Sequence, residues 1–512
     1  MGAEESVPLP APSPDFNYMV LMLVLTDKMR MIFGTQNELS LIRQAVMQNW
    51  PLGLTVEKPK LSYSWSFKLN GCPFGLGTNA VQSASARQLM CQILQTLNNA
   101  GWEMIITSDL SRLTDLTSFF FVRTQMLKQM QFPLLCVSLS STDKFQLVNV
   151  PSDVVQIIKA IVMKVWPRGI QSEGPNENSY EIKMAGNPWF SDGDEGVQAR
   201  ILLAKITSAL AQRQWILHAA ANIKSTADSL FFKYDPEMIP GESSECFVIS
   251  LNRTDRLRII NAPQSVIPVV RETIMSVWQV MGGIQQEQAY HASWEFKLKG
   301  SPWWSIGKES VMARFLMCKI LEALQSHGWS LQASIDISRK SQDKSILLFS
   351  QSQPKSQPVM CLSFSDTDKI RLINAPQELT GVCRDILKAK WYQGICKEEP
   401  MGTSCSSHEF KLNGNPWYGG AYSSQAIHIR STLCYVIQAF KAHGWKFLIS
   451  ADVSARFHKP DKGPSYPVDV HSLWFVYEHV SPPLQPTAPS YGFSAGSSAF
   501  PLPPSYDEVV KQ

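Results

Sequence analysis

Apolar and polar residues follow one order of patterns along the chain, and the third quarter of the sequence shows this order most clearly. Residues 246–251 alternate with the period of a β-strand, and a second short apolar run follows at 256–260. Helical spacing over about 265–280 ends near two consecutive glycines, and residues 294–298 alternate again as a strand. The pattern therefore predicts two strands, a helix and a third strand.

The turn Gly300-Ser301-Pro302 leads from the third strand into a second helix, which is predicted over 310–326. The apolar residues of this helix recur at helical spacing. They are Val311, Phe315, Leu316, Ile320, Leu321 and Leu324. Gly328 ends the helix, and residues 329–337 and 345–349 supply two closing strands. The result is an α+β unit of about the order ββαβαββ, long enough to form a two-layer core of its own.

Three landmarks repeat this unit along the chain. They are a lysine in the strand before a Gly-x-Pro turn, an arginine near the start of the second helix, and a tryptophan after that helix. The lysines are Lys68, Lys183, Lys297 and Lys411, the arginines are Arg87, Arg200, Arg314 and Arg430, and the tryptophans are Trp102, Trp215, Trp329 and Trp445. Each set keeps a spacing of about 114 residues, so the sequence predicts four tandem copies of one unit.

The repeat period also sets the expected domain boundaries. The predicted segments are a leader at 1–15, repeats at 16–127, 128–239, 240–353 and 354–480, and a tail at 481–512. The tail is rich in Pro, Ser and Gly and poor in charge, which is typical of a disordered segment.

Composition narrows the class of protein. The chain has 512 residues, of which 44% are hydrophobic, and this is enough for several domain cores. Its net charge of +4 is small for this length and does not indicate a nucleic-acid binder. The ten cysteines form no CxxC pair and no regular Cys/His spacing, and Cys91, Cys318 and Cys434 recur at one position of the repeat. They are expected to be buried thiols in a reducing, cytoplasmic compartment, without a metal or cofactor.

The repeats carry no recognisable catalytic motif, but the recurring lysines and arginines have two interpretations. If the two sets converged, each unit could bind an acidic headgroup or a phosphopeptide. Otherwise the lysines lie on a solvated sheet face, and each arginine is anchored to a carbonyl or a carboxylate.

Recurring acidic and aromatic residues also have a structural and a chemical interpretation. Asp109, Asp336 and Asp452 recur in an Asp-x-Ser segment, whereas the second repeat has Asn222 in the corresponding stretch, which favours a cap or turn over acid–base chemistry. The repeated tryptophans are expected to be core anchors, with carbohydrate or base stacking as the alternative.

The N-terminus fits the acceptor pattern for myristoylation. Gly2 follows Met1, and the small residues Ala3 and Ser6 occupy the positions that the pattern requires. An ordinary disordered leader is the alternative. One acyl chain binds membranes weakly, and the neighbouring Glu4 supplies no second signal, so a weak membrane contact is expected.

The tail holds two short motifs that bind partners in other proteins. The tetrapeptide PTAP comprises Pro486, Thr487, Ala488 and Pro489, and the PPxY motif comprises Pro503, Pro504 and Tyr506. This pair resembles the late-domain motifs of retroviral Gag proteins and of α-arrestin-type adaptors. The resemblance implies that PTAP binds the ubiquitin-E2-variant domain of ESCRT-I. It also implies that PPxY binds WW domains of HECT-type ubiquitin ligases.

These features predict a non-enzymatic adaptor that is peripheral on the plasma membrane or endosomes. Its tail would recruit ubiquitin ligases and ESCRT-I for sorting or vesicle budding. Tyr506 also begins a YxxΦ motif of the kind read by clathrin adaptors. Two alternatives remain: a soluble scaffold or nuclear regulatory protein with incidental tail motifs, and an enzyme with a site between repeats.

Overall fold

The computed structural model describes residues 16–478 except 77, 112–114, 126–128, 225–226, 239–244, 339–343, 419, 455–456, 459–465 and 468–469. These residues fold as four copies of one unit, in the order ββαββαββ.

Repeat 1 comprises β1 (Tyr18–Val24), β2 (Lys28–Ile32), α1 (Gln36–Asn49), β3 (Leu54–Leu61), β4 (Ser64–Leu69), α2 (Ala80–Asn99), β5 (Trp102–Ser108) and β6 (Asp115–Arg123). Repeat 2 comprises β7 (Leu135–Ser140), β8 (Lys144–Val148), α3 (Ser152–Val165), β9 (Ile170–Asn176), β10 (Ser179–Met184), α4 (Gly193–Ala211), β11 (Trp215–Ala221) and β12 (Ser229–Tyr234), with a 3-10 turn at Pro188–Phe190.

Repeat 3 comprises β13 (Cys246–Asn252), β14 (Arg256–Ile260), α5 (Val266–Trp278), β15 (Ile284–Tyr290), β16 (Ser293–Leu298), α6 (Gly307–Ser326), β17 (Trp329–Ile335) and β18 (Ile346–Gln351), with a 3-10 turn at Gln279–Met281. Repeat 4 comprises β19 (Val359–Ser365), β20 (Lys369–Ile373), α7 (Gln377–Lys390), β21 (Ile395–Pro400), β22 (Ser407–Leu412), α8 (Ser424–Ala442), β23 (Trp445–Ala451) and β26 (Ser472–Tyr477). A small ribbon of β24 (Phe457–His458) and β25 (Tyr466–Pro467) interrupts repeat 4.

The predicted α+β class and the four tandem units are confirmed, with one more strand in each unit than the pattern indicated. Each unit is a six-stranded antiparallel sheet in which the third strand lies at one edge and the fifth at the other. The added strand is the third one, for example β15, whose sequence IQQEQAY has no apolar alternation and no fully buried residue. An edge strand that is solvated on both faces leaves no period-2 signal, so the sequence did not reveal it.

Local signals fix the ends of the helices. Thr35 and Glu38 form a capping box at the start of α1, and Ser423 accepts a hydrogen bond from the Ala426 N–H at the start of α8. After the second helix, Gly328 has a φ of 79°, in the left-handed region that favours glycine. Gln214 occupies that place in repeat 2, with a φ of 64°.

The repeats close into a ring, because the second helix of each one also packs on the next sheet. Helices α2, α4 and α6 contact the sheets of repeats 2, 3 and 4, and α8 contacts β1 of repeat 1. Each of the four apolar cores accordingly combines residues of two neighbouring repeats. Each sheet is thus covered on both faces, and every residue of β1 is buried.

Both ends of the described chain lie on one face of this ring. Strand β1 begins where β6 ends, since Tyr18 pairs with Val122, and β19 likewise begins where β26 ends, since Val359 pairs with Val476. The four repeats are related by rotation about the ring axis, so equivalent residues lie at the same height along that axis. The start of β1 and the end of β26 are therefore at the same height. The chain therefore enters the ring near Phe16 and leaves it near Glu478 on the same face.

The buried arginines of the second helices are expected to carry much of the stability between repeats. In α6, the Arg314 guanidinium donates hydrogen bonds to the Ser310 carbonyl and to the Ser472 hydroxyl of the next repeat. Arg314→Met should lower the free energy of unfolding by about 3 kcal/mol, because it leaves these buried partners without that donor. Chemical denaturation of the full chain measures this loss. Arg271→Met, at a half-exposed ion pair with Glu287, is the matched control and should cost less than about 1 kcal/mol. Equal losses for the two variants would show that Arg314 does not hold the repeats together.

Candidate functional site

The four recurring arginines lie buried between neighbouring repeats. In each, the Nη1 group donates to a backbone carbonyl four residues earlier in its own helix, and Nε donates to a serine hydroxyl of the next repeat. The Nε bonds are Arg87–Ser229 (3.0 Å), Arg200–Ser250 (3.0 Å), Arg314–Ser472 (3.2 Å) and Arg430–Ser118 (2.7 Å). The carbonyls are those of Ser83, Gly196, Ser310 and Ala426. Each arginine therefore ties its helix to the following sheet.

The recurring lysines lie at the end of the sheet that carries the hairpin between its first two strands. Three of them make long ion pairs with an aspartate in that hairpin. These are Lys68–Asp27 (3.7 Å), Lys183–Asp143 (3.8 Å) and Lys411–Asp368 (3.9 Å). Lys297 lies opposite Arg256 in the sheet. The arginines and three of the four lysines thus have separate partners.

The residues at the Asp109 position join consecutive repeats through their main chains. Asp228 N–H donates to the Asp336 carbonyl (2.8 Å), and Asp336 N–H donates back to the Asp228 carboxylate (2.7 Å). The other three junctions use the equivalent residues. Their bonds join Thr117 N to Asn222 O (3.0 Å), Ser345 N to Asp452 O (3.1 Å) and His471 N to Asp109 O (3.2 Å). Burial, and then the charge of Asp336, raises the pKa of Asp228 well above its usual range.

The tryptophans are core residues. Trp102, Trp215, Trp329 and Trp445 begin the fifth strands and are each less than one-tenth exposed. Those of the Gly-x-Pro turns are buried too, and their indole N–H groups donate to the main chain of the second strand. These bonds are Trp189–Lys144 (3.0 Å), Trp303–Arg256 (3.0 Å) and Trp417–Lys369 (3.1 Å). No ring among them presents an open face for stacking a sugar or a base.

Sequence reasoning missed a third tryptophan set, which lies at the C-terminal end of the first helix of each repeat. Each indole N–H donates to a carbonyl after the fourth strand. The bonds are Trp50–Asn70 (3.0 Å), Trp166–Ala185 (2.8 Å), Trp278–Lys299 (2.9 Å) and Trp391–Asn413 (3.0 Å). Their spacing, close to the repeat period, was the signal that could have found them.

A small central cavity lies where the four fifth strands meet. It has a volume of about 120 Å³ and is lined by β5, β11, β17 and β23. Each of these strands has a β-bulge at the same place. The bulged residues are Ile105, His218, Gln332 and Leu448. Bulges redirect side chains, and here all four residues line the cavity, two of them polar and two apolar.

His218 is the titratable residue of this cavity. Its side chain lines the cavity and is partly exposed. Burial within the protein, and then the charge of Lys233, lowers the pKa of His218 to about 4. The imidazole is therefore neutral at physiological pH.

A larger groove lies between repeats 3 and 4, on the face where the chain ends leave the ring. It has a volume of about 1140 Å³ and is lined by α5, α6, the segment 356–358 and the start of α7. Within it, Glu322 accepts hydrogen bonds from the Val359 N–H (2.8 Å) and from Asn374 (3.3 Å). About half of the groove's surface is polar, and one of its two glutamates, Glu322, is already hydrogen-bonded to the main chain of Val359.

The remaining predicted site residues lie outside the described part of the chain. These are Gly2, Pro486, Thr487, Ala488, Pro489, Pro503, Pro504 and Tyr506. Among the described residues, no group of three His, Cys, Asp or Glu side chains could hold a metal ion. No helix within the described ranges is long and apolar enough to cross a membrane.

The pKa of His218 predicts an acid-dependent loss of stability. Between pH 6.5 and about 4 the unfolded chain binds a proton at this histidine and the folded chain does not. The contribution of neutral His218 to the free energy of unfolding is therefore fully present above pH 6.5 and decreases as the pH falls below that value. The expected loss is about 3 kcal/mol. His218→Gln should remove that part of the pH dependence in urea denaturation at pH 7.5 and 4.5. His327→Gln, at an exposed helix end, is the control, and an unchanged pH dependence in His218→Gln would contradict the assignment.

Comparison with known proteins agrees with the fourfold geometry. One family model, which describes a single domain, matches the chain four times, at residues 17–123, 133–235, 245–350 and 358–476. No curated protein shows a significant sequence match to the chain. Since the four matches cover most of the sequence, the chain belongs to the family of proteins that contain this domain.

Proposed function

We propose that this protein is a non-enzymatic adaptor whose ring of repeats is a rigid platform and whose tail recruits partners. The observation that carries the proposal is the pair of motifs in the tail, PTAP at 486–489 and PPxY at 503–506. The partners are the ubiquitin-E2-variant domain of ESCRT-I and WW domains of HECT-type ubiquitin ligases, and the processes are sorting or vesicle budding.

The described residues support a platform because the recurring polar groups have structural partners. The arginines join helices to the next sheet, the Asp109-type residues join main chains, and the indole N–H groups bind carbonyls. A ring held at four equivalent junctions has little freedom to deform.

The positions of the two ends of the described chain support the adaptor proposal. Phe16 and Glu478 lie on one face, so the leader that carries Gly2 and the tail that carries the motifs both start there. An acyl chain on Gly2 would bring this face to a cytoplasmic membrane surface, on the plasma membrane or endosomes. One chain binds weakly, so the contact would be reversible.

Proline-rich motifs suit recruitment because their chain entropy is low before binding. Proline favours an extended polyproline II shape, which aromatic grooves accept. Tyr506 supplies the aromatic side chain of PPxY and also begins a YxxΦ motif, so WW domains and clathrin adaptors would compete for it. Two weak motifs on one tail raise the effective concentration of both partners.

The second candidate is a soluble scaffold or nuclear regulatory protein. The rigid ring supports this candidate too, and in it the tail motifs have no role. The two candidates differ in whether the tail binds its partners.

The tail motifs are expected to act separately. Tyr506→Ala should abolish WW-domain binding and leave ESCRT-I binding intact, because only PPxY uses that ring. Pro486→Ala with Pro489→Ala should do the reverse. Isothermal titration with a 481–512 peptide should give affinities in the micromolar range, about 8 kcal/mol. Absence of WW-domain binding even at millimolar peptide would favour the scaffold candidate.

Gly2 is expected to be acylated. Cells fed a clickable myristate analogue should label the wild-type protein and leave Gly2→Ala unlabelled, since the transferase needs an N-terminal glycine. Ala3→Ser, which keeps a small residue at the third position, is the control and should still be labelled. Only partial membrane recovery is expected. A wild-type protein without label would exclude this lipid anchor.

A further inference from the structure

Three of the four repeats have a glutamate at one position of the fourth strand, opposite a long polar residue of the second strand. The pairs are Glu181 with Gln146, Glu295 with Arg258, and Glu409 with Arg371. In repeat 1 the same position holds Ser66, opposite Arg30. Repeat 1 has therefore lost the carboxylate and kept the cation.

The other repeats show how this carboxylate is bound. Glu409 accepts a hydrogen bond from Arg371 Nε (2.6 Å) and pairs with Lys369 Nζ (3.3 Å). In repeat 3, Arg258 Nε donates to Glu295 (2.7 Å), and Arg256 also binds it. Cations two residues apart on the second strand thus converge on one carboxylate. In repeat 1 these two positions are Lys28 and Arg30.

Arg30 retains the cationic side of this arrangement without the acid. It is 4% exposed, and its Nη1 donates to the Ala421 carbonyl of repeat 4 (3.0 Å). Its Nε is buried and has no hydrogen-bond partner among the described residues. This is the same atom that binds the glutamate in repeats 3 and 4. A buried donor on a charged group is costly to leave unpaired.

A second buried cation contacts the same row of the sheet, two strands away. Arg430 donates to Ser118. Ser118 pairs with Met22, and Met22 pairs with Arg30. Arg430, from the ring-closing repeat 4, comes close enough that its charge, after the effect of burial, lowers the pKa of Arg30 to about 10. Lys28 is only partly buried and makes no ion pair within the described part of the chain. Solvent therefore reaches Arg30 from the side on which Lys28 lies.

We propose that the junction between repeats 4 and 1 binds a small anion, of the carboxylate or phosphate type, at the place of the missing glutamate carboxylate. Arg30 Nε and Lys28 hold the anion as Arg371 and Lys369 hold Glu409. Because Arg30 belongs to repeat 1 and its carbonyl partner to repeat 4, the anion stabilises the closed ring.

The test is a set of melting curves of the full chain in a low-salt zwitterionic buffer, with added inorganic phosphate or acetate. The melting temperature of the wild type should rise by about 2 °C or more beyond that of Ser66→Glu, which restores the carboxylate of the other repeats. Glu409→Ser, which creates the same vacancy in repeat 4, should gain anion dependence. A rise in melting temperature with acetate indicates a site for carboxylates. A rise with phosphate but not with acetate indicates a site for phosphate-type anions.

Two further variants separate the site from general salt effects. Arg30→Gln, which copies the residue of repeat 2, should lose the response. Ser66→Ala keeps the vacancy and should respond like the wild type. Equal rises for wild type, Ser66→Glu and Arg30→Gln would overturn the proposal. If Ser66→Glu does not fold, the other two variants test the proposal. Arg30→Gln should then lose the anion-dependent rise in melting temperature, and Glu409→Ser should gain it.

Discussion

The interaction on which this structure depends is the contact between the second helix of one repeat and the sheet of the next. A single sheet has two apolar faces, and the helices of its own repeat cover only one. Strand β1 is buried along its whole length because α8, from the far end of the chain, covers the other face. Without that contact the first sheet would expose Val20 and Met22 to water, at about 25 cal/mol for each Å² of apolar surface. Closure of the ring is thus a requirement of burial.

Polar groups inside such a contact must be satisfied, and this explains why the recurring arginines are so uniform. A guanidinium has five donors in a fixed fork, so it can bond to its own helix and to the neighbouring sheet at once. Arg314 does so with Ser310 and Ser472. The aliphatic stem adds apolar contact area along the way. One residue therefore gives both adhesion and a fixed register between repeats, which explains its place in every copy.

The sequence was sufficient for the repeat, its period and its class, because those depend on local periodicity and on landmarks such as Lys297 and Trp329. It was insufficient for β15 and its equivalents, since a solvated edge strand has no alternation to detect. It also could not distinguish an anchored arginine from an anion-binding one, because the partner of Arg430 is Ser118, more than 300 residues away in sequence. The central cavity lined by His218 and Gln332 depends on all four fifth strands meeting, which no single repeat encodes. The tail motifs were legible as linear patterns, and their partners remain proposals.

Differences among nearly equivalent repeats are the most informative feature of the ring. Positions that keep one residue in all copies, such as the arginines, serve the shared architecture. Positions at which one copy differs are not required by the shared architecture. Ser66 replaces a glutamate that two other repeats pair with an arginine, and His218 replaces an apolar bulge residue such as Ile105. A buried cation without its acid is destabilising, so its presence at the one junction with no covalent link between repeats sets that junction apart energetically. The ring is therefore nearly symmetric in its backbone and asymmetric in its chemistry, and the asymmetry at Ser66 and Arg30 lies where the chain closes on itself.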